Sequence, residues 1–151
     1  MDRPTQHLQR TLLLLVTLAV ANAPAWASER WETLQAINWV ENPRNSTRVG
    51  PHGELGPYQF RYSTWRMYTK KPFALAVQRE EADVVAVRHY EWIKRGLETN
   101  GIAATPYNIA LAWNAGLDQV VNRHVPPSSY NYAQQVNNLV VRLKSQVASS
   151  P

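Results

Sequence analysis

Glu41, a glutamate at the end of an apolar-patterned segment, is the residue of this sequence best placed for acid–base chemistry. Upstream apolar side chains at helical spacing predict a helix over residues 28–41 with Glu41 beside its buried stripe: Trp31, Leu34, Ile37 and Val40. Asn42 and Pro43 stop that helix, because proline disfavours the helical conformation of the residue before it. An apolar surround and the negative end of the helix dipole both raise the pKa of a carboxyl group. We therefore expect a half-buried Glu41 that stays protonated near neutral pH and acts as a general acid.

Further motifs follow Glu41 in a fixed order. They are Gly53, Gly56 and Gln59 in a G-x-x-G-x-x-Q segment, then Trp113-Asn114-Ala115-Gly116, then Tyr132. Together with Glu41 they resemble the lysozyme-like soluble lytic transglycosylases, in which a helix-terminal glutamate precedes segments of the same kinds. Each motif alone arises easily by chance, whereas the ordered set is fairly specific. The likeness covers residues 31–143.

The resemblance implies a mainly α-helical, lysozyme-like domain that cleaves the MurNAc-β-1,4-GlcNAc bond of peptidoglycan and leaves 1,6-anhydro-MurNAc ends. Glu41 would protonate the leaving oxygen and then, as a base, assist attack by the muramic acid 6-hydroxyl. Tyr132 would orient the Glu41 carboxyl group. The residues that would form the saccharide-binding site are Tyr58, Gln59, Trp113 and Asn114, together with Tyr132.

A second carboxylate, Glu54, lies between the two loop glycines, where this family more often has a small residue. An inverting hydrolase needs such a group as a base, and a retaining hydrolase needs it as a nucleophile. Glu54 therefore leaves a muramidase open, although the favoured role is to brace the loop by accepting backbone N–H hydrogen bonds. A third interpretation is a non-catalytic peptidoglycan-binding protein of an envelope assembly. Glu41 argues against this interpretation, because a pure binder gains little from a half-buried acid.

The first residues have the pattern of a secretory signal peptide. A polar start with Arg3 and Arg10 precedes a short apolar run over residues 11–20, and Ala25-Trp26-Ala27 has the form of a cleavage site. We predict a signal peptide over residues 1–27 and an exported protein in the periplasm or outside the cell. The apolar run is too short to span a bilayer, so no stable membrane insertion is expected after cleavage.

Charge and cysteine content narrow the partners of the remaining domain, residues 28–151. Residues 1–27 carry two arginines and one aspartate, so the formal net charge falls from +5 to +4 without them. In an exported protein this charge favours anionic wall polymers over nucleic acid. Peptidoglycan glycan strands are the predicted partner, and an envelope-spanning secretion or conjugation apparatus is left open. The chain has no cysteine, and no cofactor is implied. The histidines of residues 28–151 lack the spacing of a metal site: His52, His89 and His124.

Helical segments joined by proline- and glycine-rich turns make up this single domain. The breakers within residues 42–57 exclude a helix interior and leave room for a short β-ribbon. Helices are predicted over residues 59–68, 76–98 and 117–123. Another starts with Thr105 as N-cap and Pro106 in the first turn, and the last is capped by Ser128 and Ser129. Most tryptophans are expected in the core, with Trp113 the best candidate for stacking on a sugar ring.

Overall fold

The described part of the chain contains six α-helices and one 3-10 helix. The computed structural model describes residues 25–149, with side chains from residue 29. The helices are α1 (Ala25–Glu41), α2 (Tyr62–Tyr68), α3 (Arg79–Thr99), α4 (Pro106–Ala115), α5 (Leu117–Val121) and α6 (Pro127–Ala148), and the 3-10 helix Phe73–Val77 precedes α3. The prediction of a mainly helical domain is therefore confirmed.

The predicted signal peptide falls mostly outside the described range. Residues 1–24 are not described, whereas residues 25–27 belong to the first turn of α1. Cleavage after Ala27 and export accordingly stay predictions. Within residues 25–149, no helix combines the length and the apolar character needed to cross a bilayer.

α4 is the central helix of the domain. The Thr105 hydroxyl caps its first turn by accepting from the Asn108 N–H at 3.2 Å, and Pro106 occupies its first position, as the sequence predicts. Residues 109–112 are all buried, so neighbours cover the middle of α4 on every side. Its most extensive contacts are with α6, and it also packs on α1, α3 and α5. Gly116, with φ at 94°, ends it.

The buried face of α1 differs from the predicted stripe. Trp31, assigned to that stripe, is 45% exposed. Two polar residues, Thr33 and Asn38, are buried instead beside the expected Leu34 and Ile37. Both polar side chains are hydrogen-bonded: the Thr33 hydroxyl donates to the Glu29 carbonyl at 2.7 Å, and Asn38 donates to the Pro57 carbonyl at 2.8 Å. Because these partners satisfy their hydrogen bonds, Thr33 and Asn38 can face the core. The inward face of α1 therefore includes them and leaves Trp31 outside.

Most of the described tryptophans lie outside the core, so the expectation of core tryptophans is wrong. Trp65 is fully buried, and its indole N–H donates to the Lys71 carbonyl at 2.9 Å. Trp31, Trp39 and Trp92 are each more than one third exposed. Trp113 is half-buried. Tryptophan is large and carries a polar N–H, so hydrophobic periodicity alone does not determine its burial.

The α1–α2 loop, residues 42–61, contains no strand. An isolated antiparallel bridge joins Leu55 and Phe60, and each backbone N–H donates to the other carbonyl at 3.0 Å. Gly56 and Pro57 turn the chain directly after Leu55, and a hydrogen bond of 3.1 Å from the Gln59 N–H to the Gly56 carbonyl closes that turn. The β-ribbon that the sequence leaves room for is thus reduced to one bridge.

α6 starts without the predicted serine caps. Its N-cap is Pro126, which provides no side-chain hydrogen bond, and Pro127 occupies the first helical position. Proline has a φ angle suited to that position and no N–H that needs an acceptor there, which reduces the need for a hydroxyl cap. Ser129 is buried, and its hydroxyl donates to Asn114 Oδ1 at 2.7 Å. The serine expected as a cap therefore joins α6 to the end of α4.

Candidate active site

Glu41, the last residue of α1, lines a groove with a volume of about 720 Å³. The groove is bordered by the end of α1, the α1–α2 loop, α2, α3, α4 and α5. Its lining residues are Glu41, Pro51, Glu54, Tyr58, Gln59, Phe60, Arg61, Thr64, Met67, His89, Trp92, Ala112, Trp113, Asn114, Ala115, Gly116, Leu117, Asp118 and Gln119. Polar and aromatic side chains thus share one surface, as a saccharide site requires.

The environment of the Glu41 carboxyl group favours its protonated form. Burial raises the pKa of Glu41, a hydrogen bond from Tyr132 lowers it, and the charge of Glu54 raises it, with a net pKa above the ordinary value. The Tyr132 hydroxyl donates to Glu41 Oε1 at 2.8 Å. Burial, and next the nearby Glu41 charge, raise the pKa of Tyr132 well above its ordinary value, so Tyr132 stays a donor. The predicted half-burial, raised pKa and tyrosine contact are confirmed, while the catalytic role of Glu41 stays a prediction.

Two asparagines hold the backbone on either side of Glu41. The Asn42 amide group donates to the carbonyls of Ser46 and Gly56 at 2.9 and 3.1 Å, and its Oδ1 accepts from the Ser46 N–H at 2.8 Å. Asn38, one turn before Glu41, donates to the Pro57 carbonyl and accepts from Arg79 at 3.0 Å. These bonds attach the α1–α2 loop to the end of α1, which fixes the direction in which Glu41 leaves the helix.

Glu54 lies in the same groove but is held by its own loop. Its Oε2 accepts from the His52 N–H at 2.9 Å, and Arg61 Nε is 3.6 Å from its Oε1. Burial acts to raise the pKa of Glu54, but backbone hydrogen bonds and the charges of His52 and Arg61 outweigh it, and the pKa lies below its ordinary value. Glu54 is therefore ionised at neutral pH. The loop-bracing contact expected from the sequence is present.

The predicted saccharide-binding residues do not all present their side chains to the groove in the same way. Gln59, Trp113 and Asn114 line it as half-buried or exposed side chains. Tyr58 is 1% exposed, and its hydroxyl donates to Asp83 Oδ1 at 2.6 Å. Its ring packs 6.1 Å from that of Trp113, centroid to centroid. Tyr58 thus supports the floor of the groove, and its hydroxyl group is bound to Asp83 instead of facing a ligand.

Asn114 has an oriented amide group. Its Oδ1 accepts from the buried Ser129 hydroxyl, so its Nδ2 donor group remains for the groove. The residue belongs to the last turn of α4, and Gly116 is the C-cap of that helix. Asn114 is therefore a helical residue of α4 and not its C-cap.

Several groove residues are not indicated by the sequence motifs, among them His89, Trp92 and Asp118. His89 and Trp92 line the groove from α3, whereas the buried residues of that helix are Ala82, Val85, Ala86, Tyr90, Ile93 and Leu97. The sequence contains a signal for these two positions. A histidine and a tryptophan three residues apart share one helix face, and that face is less apolar than the buried one. Asp118 lies two residues after Gly116 and adds a carboxylate to the groove. Its position directly after the N-A-G turn was the signal for it.

The structure defines a helical domain with a polar and aromatic groove around a half-buried carboxyl group. Within residues 29–149, no three histidine, aspartate or glutamate side chains come together in an arrangement that could hold a metal ion. Comparisons of the chain with protein-family models, with curated proteins and with solved structures find no match.

Proposed function

We propose that this protein is a peptidoglycan lytic transglycosylase with a lysozyme-like fold, and that Glu41 is its general acid and base. The observation that carries the proposal is the protonation-favouring site of Glu41, half-buried in a saccharide-sized groove and hydrogen-bonded by Tyr132. The order of motifs from Glu41 to Tyr132 supplies the link to this enzyme class. The signal-like N-terminal sequence supports export, and we propose that the activity is located in the periplasm or outside the cell.

The proposed reaction needs one carboxyl group used twice. The Glu41 carboxyl group transfers its proton to the glycosidic oxygen as the bond to the MurNAc anomeric carbon breaks, which releases the GlcNAc 4-hydroxyl. The resulting Glu41 carboxylate then takes the proton of the MurNAc 6-hydroxyl while that oxygen bonds to the anomeric carbon. The product is a 1,6-anhydro-MurNAc end, and Glu41 is protonated again for the next turnover.

A muramidase that hydrolyses the same bond is the second candidate, and the position of Glu54 favours it. This carboxylate is ionised and lies in the groove with Glu41, as a base or nucleophile would. Its hydrogen bond from His52 and its ion pair with Arg61 instead support a structural role. The two candidates differ in their products, because hydrolysis leaves reducing ends.

Mass spectrometry of the soluble products from purified peptidoglycan tests the proposal. The parent protein is compared with Glu41→Gln, which is nearly isosteric but has no acidic proton to transfer, and with Glu98→Gln. Glu98 is an exposed carboxylate of α3 outside the groove, so it serves as the matched control. We expect anhydro-muropeptides from the parent and the control, and a rate reduced about 10²- to 10⁴-fold for Glu41→Gln.

The other outcomes are equally informative. Reducing-ended fragments would establish the hydrolase and make Glu54 its suspected second carboxylate. If neither the parent nor the control releases fragments but both bind insoluble peptidoglycan, the enzyme proposal fails, and a wall-binding component of an envelope-spanning apparatus becomes the better description.

A further inference from the structure

His89 is a groove-lining histidine to which the proposed reaction assigns no part. It lies on α3, is half-buried and is flanked by two indole rings. Trp92 is stacked on it, with centroids 5.8 Å apart and planes at 11°, and Trp113 meets it edge-on at 4.6 Å. His89 Nδ1 is 2.9 Å from the Tyr68 hydroxyl. An imidazole ring held on three sides and facing a ligand-sized groove has a fixed orientation.

The Tyr68 contact favours one of the two neutral tautomers of the His89 ring. Burial raises the pKa of Tyr68 to about 12, so the phenol keeps its proton. Within residues 29–149, the only group hydrogen-bonded to this hydroxyl is His89 Nδ1. A phenol that keeps its proton and has this one protein partner is best satisfied by donating to Nδ1, which favours the tautomer with the ring proton on Nε2. In the same part of the chain Nε2 has no hydrogen-bond partner.

The ring is neutral throughout the physiological range. Burial lowers the pKa of His89 to about 4. A neutral N–H donor is suited to a neutral acceptor, because a carboxylate ligand would favour a cation such as arginine or lysine at this position. The neighbouring Trp92, which is 37% exposed, adds apolar aromatic surface. A planar acetamido group matches both features, because it offers a neutral carbonyl acceptor and a methyl group that packs on aromatic rings.

We propose that His89 is a specificity-determining residue that donates from Nε2 to the N-acetyl carbonyl of a sugar in the groove, with Tyr68 as its positioning residue. This inference rests on the proposed function, because it takes an N-acetylated glycan as the ligand of the groove. It adds the means by which acetylated and de-N-acetylated sugars are distinguished.

Calorimetric titration of two saccharides tests the proposal without turnover. The probes are the tetramer of N-acetylglucosamine and its fully de-N-acetylated counterpart, both titrated into the full chain carrying Glu41→Gln. In that background His89→Ala removes the donor, and His89→Gln restores an N–H donor of similar reach. His124→Ala is the matched control, because His124 is exposed and does not line the groove.

The decisive quantity is the preference for the acetylated tetramer, measured as the ratio of the dissociation constants of the two tetramers. The other charged groups of the groove are the same with His89 and with His89→Ala, so they affect both measurements alike. We expect His89→Ala to reduce this preference about tenfold, the effect of one lost hydrogen bond with its ring contact. His89→Gln should recover part of it, and His124→Ala should leave it unchanged. An unchanged preference in His89→Ala overturns the inference, as does a failure of the Glu41→Gln protein to bind the acetylated tetramer.

Nitrogen NMR of the imidazole ring tests the role of Tyr68 separately and does not depend on whether His89→Ala folds. We expect the Nε2–H tautomer in the parent protein and a mixture of both tautomers in Tyr68→Phe. A parent with the Nδ1–H tautomer contradicts the proposed donor. Product release from peptidoglycan by the parent and by His89→Ala separates the two proposals: release of anhydro ends together with an unchanged acetyl preference removes the role of His89 and leaves the transglycosylase standing.

Discussion

At the scale of single residues, the protonation of Glu41 depends on three influences of opposite sign. Burial and the Glu54 charge raise its pKa, while the Tyr132 hydrogen bond lowers it. A general acid must be protonated to act, so activity should fall as the pH rises through this raised pKa. Tyr132 and Glu54 should therefore each shift the alkaline limb of the pH–rate profile, in the direction in which they change the pKa of Glu41.

Replacement of Tyr132 by phenylalanine should move that alkaline limb to higher pH. The change removes the donor that stabilises the Glu41 carboxylate, so the pKa of Glu41 rises further. The rate at the optimum should fall roughly 10- to 100-fold, because the carboxyl group loses its orientation. Rates of anhydro-product release from pH 4 to 9 measure both effects. A limb displaced to lower pH would contradict the assignment of Tyr132.

Replacement of Glu54 by glutamine should move the same limb in the opposite direction. Removing the negative charge relieves the repulsion that raises the pKa of Glu41, so the acid is lost at a lower pH. Glutamine keeps an acceptor for the His52 N–H, which should preserve the loop. A transglycosylase should retain its rate at the optimum within a few-fold, whereas a hydrolase that uses Glu54 should lose about 10²- to 10⁴-fold. The same pH series distinguishes these cases.

The residues predictable from sequence are those whose role depends on local chemistry. Glu41 stands out because an apolar helix and Asn42-Pro43 define its surroundings within a few positions. His89 does not, because only the tertiary packing of α3 determines whether its ring faces the core or the groove. The sequence likewise predicts Ser129 as a cap, because its actual partner Asn114 is 15 residues away in the sequence.

At the scale of elements, the α1–α2 loop depends on the backbone freedom of glycine at Gly56. Its φ is 79°, a left-handed conformation that other residues adopt at a cost. A Cβ at this position would overlap the backbone carbonyl of Ala76 in the 3-10 helix. Gly53 has a similar φ of 84° but no atom within 4 Å of the place where its Cβ would be. Alanine substitutions at Gly53 and Gly56 can therefore distinguish the cost of backbone strain from the cost of steric overlap.

Substitution of alanine for Gly56 should lower the free energy of unfolding by more than about 3 kcal/mol, because both strain and overlap apply. The matched change Gly53→Ala should cost about 1–2 kcal/mol, since strain alone applies. Urea unfolding followed by circular dichroism measures both. Equal losses for the two variants would show that the packing of Gly56 against Ala76 has no energetic weight.

The helices with local start and stop signals were predictable, and their faces were less so. Thr105, Pro106 and Gly116 mark α4 because capping and backbone geometry act over one turn. The inward face of α1 depends instead on Asn38, which is buried because distant groups on the loop and on α3 bind its amide. Hydrophobic periodicity favours Trp31 over Asn38 and contains no information about those partners.

At the scale of the whole molecule, α6 holds two residues of the groove in place through hydrogen bonds. Its Tyr132 holds Glu41, 91 residues earlier in the chain, and its Ser129 holds Asn114 on α4. α6 packs on both α1 and α4, so the helices that carry these two groove residues share one support. The site is complete only when these long-range contacts form, which is why motif order could indicate its members but not their geometry.

Glu41 should destabilise the folded protein at neutral pH, which links the site to the stability of the whole domain. A carboxyl group with a higher pKa in the folded than in the unfolded chain costs nothing while both forms are protonated, and costs stability once the pH exceeds the unfolded value. Glu41→Gln should therefore raise the melting temperature at pH 7, by about 4 °C for each kcal/mol relieved, and change it little at pH 3.5. Calorimetry of both proteins at several pH values measures the difference, with Glu98→Gln as the control. If the difference between parent and Glu41→Gln does not grow with pH, folding does not raise the pKa of Glu41, and the basis for treating it as the general acid is lost.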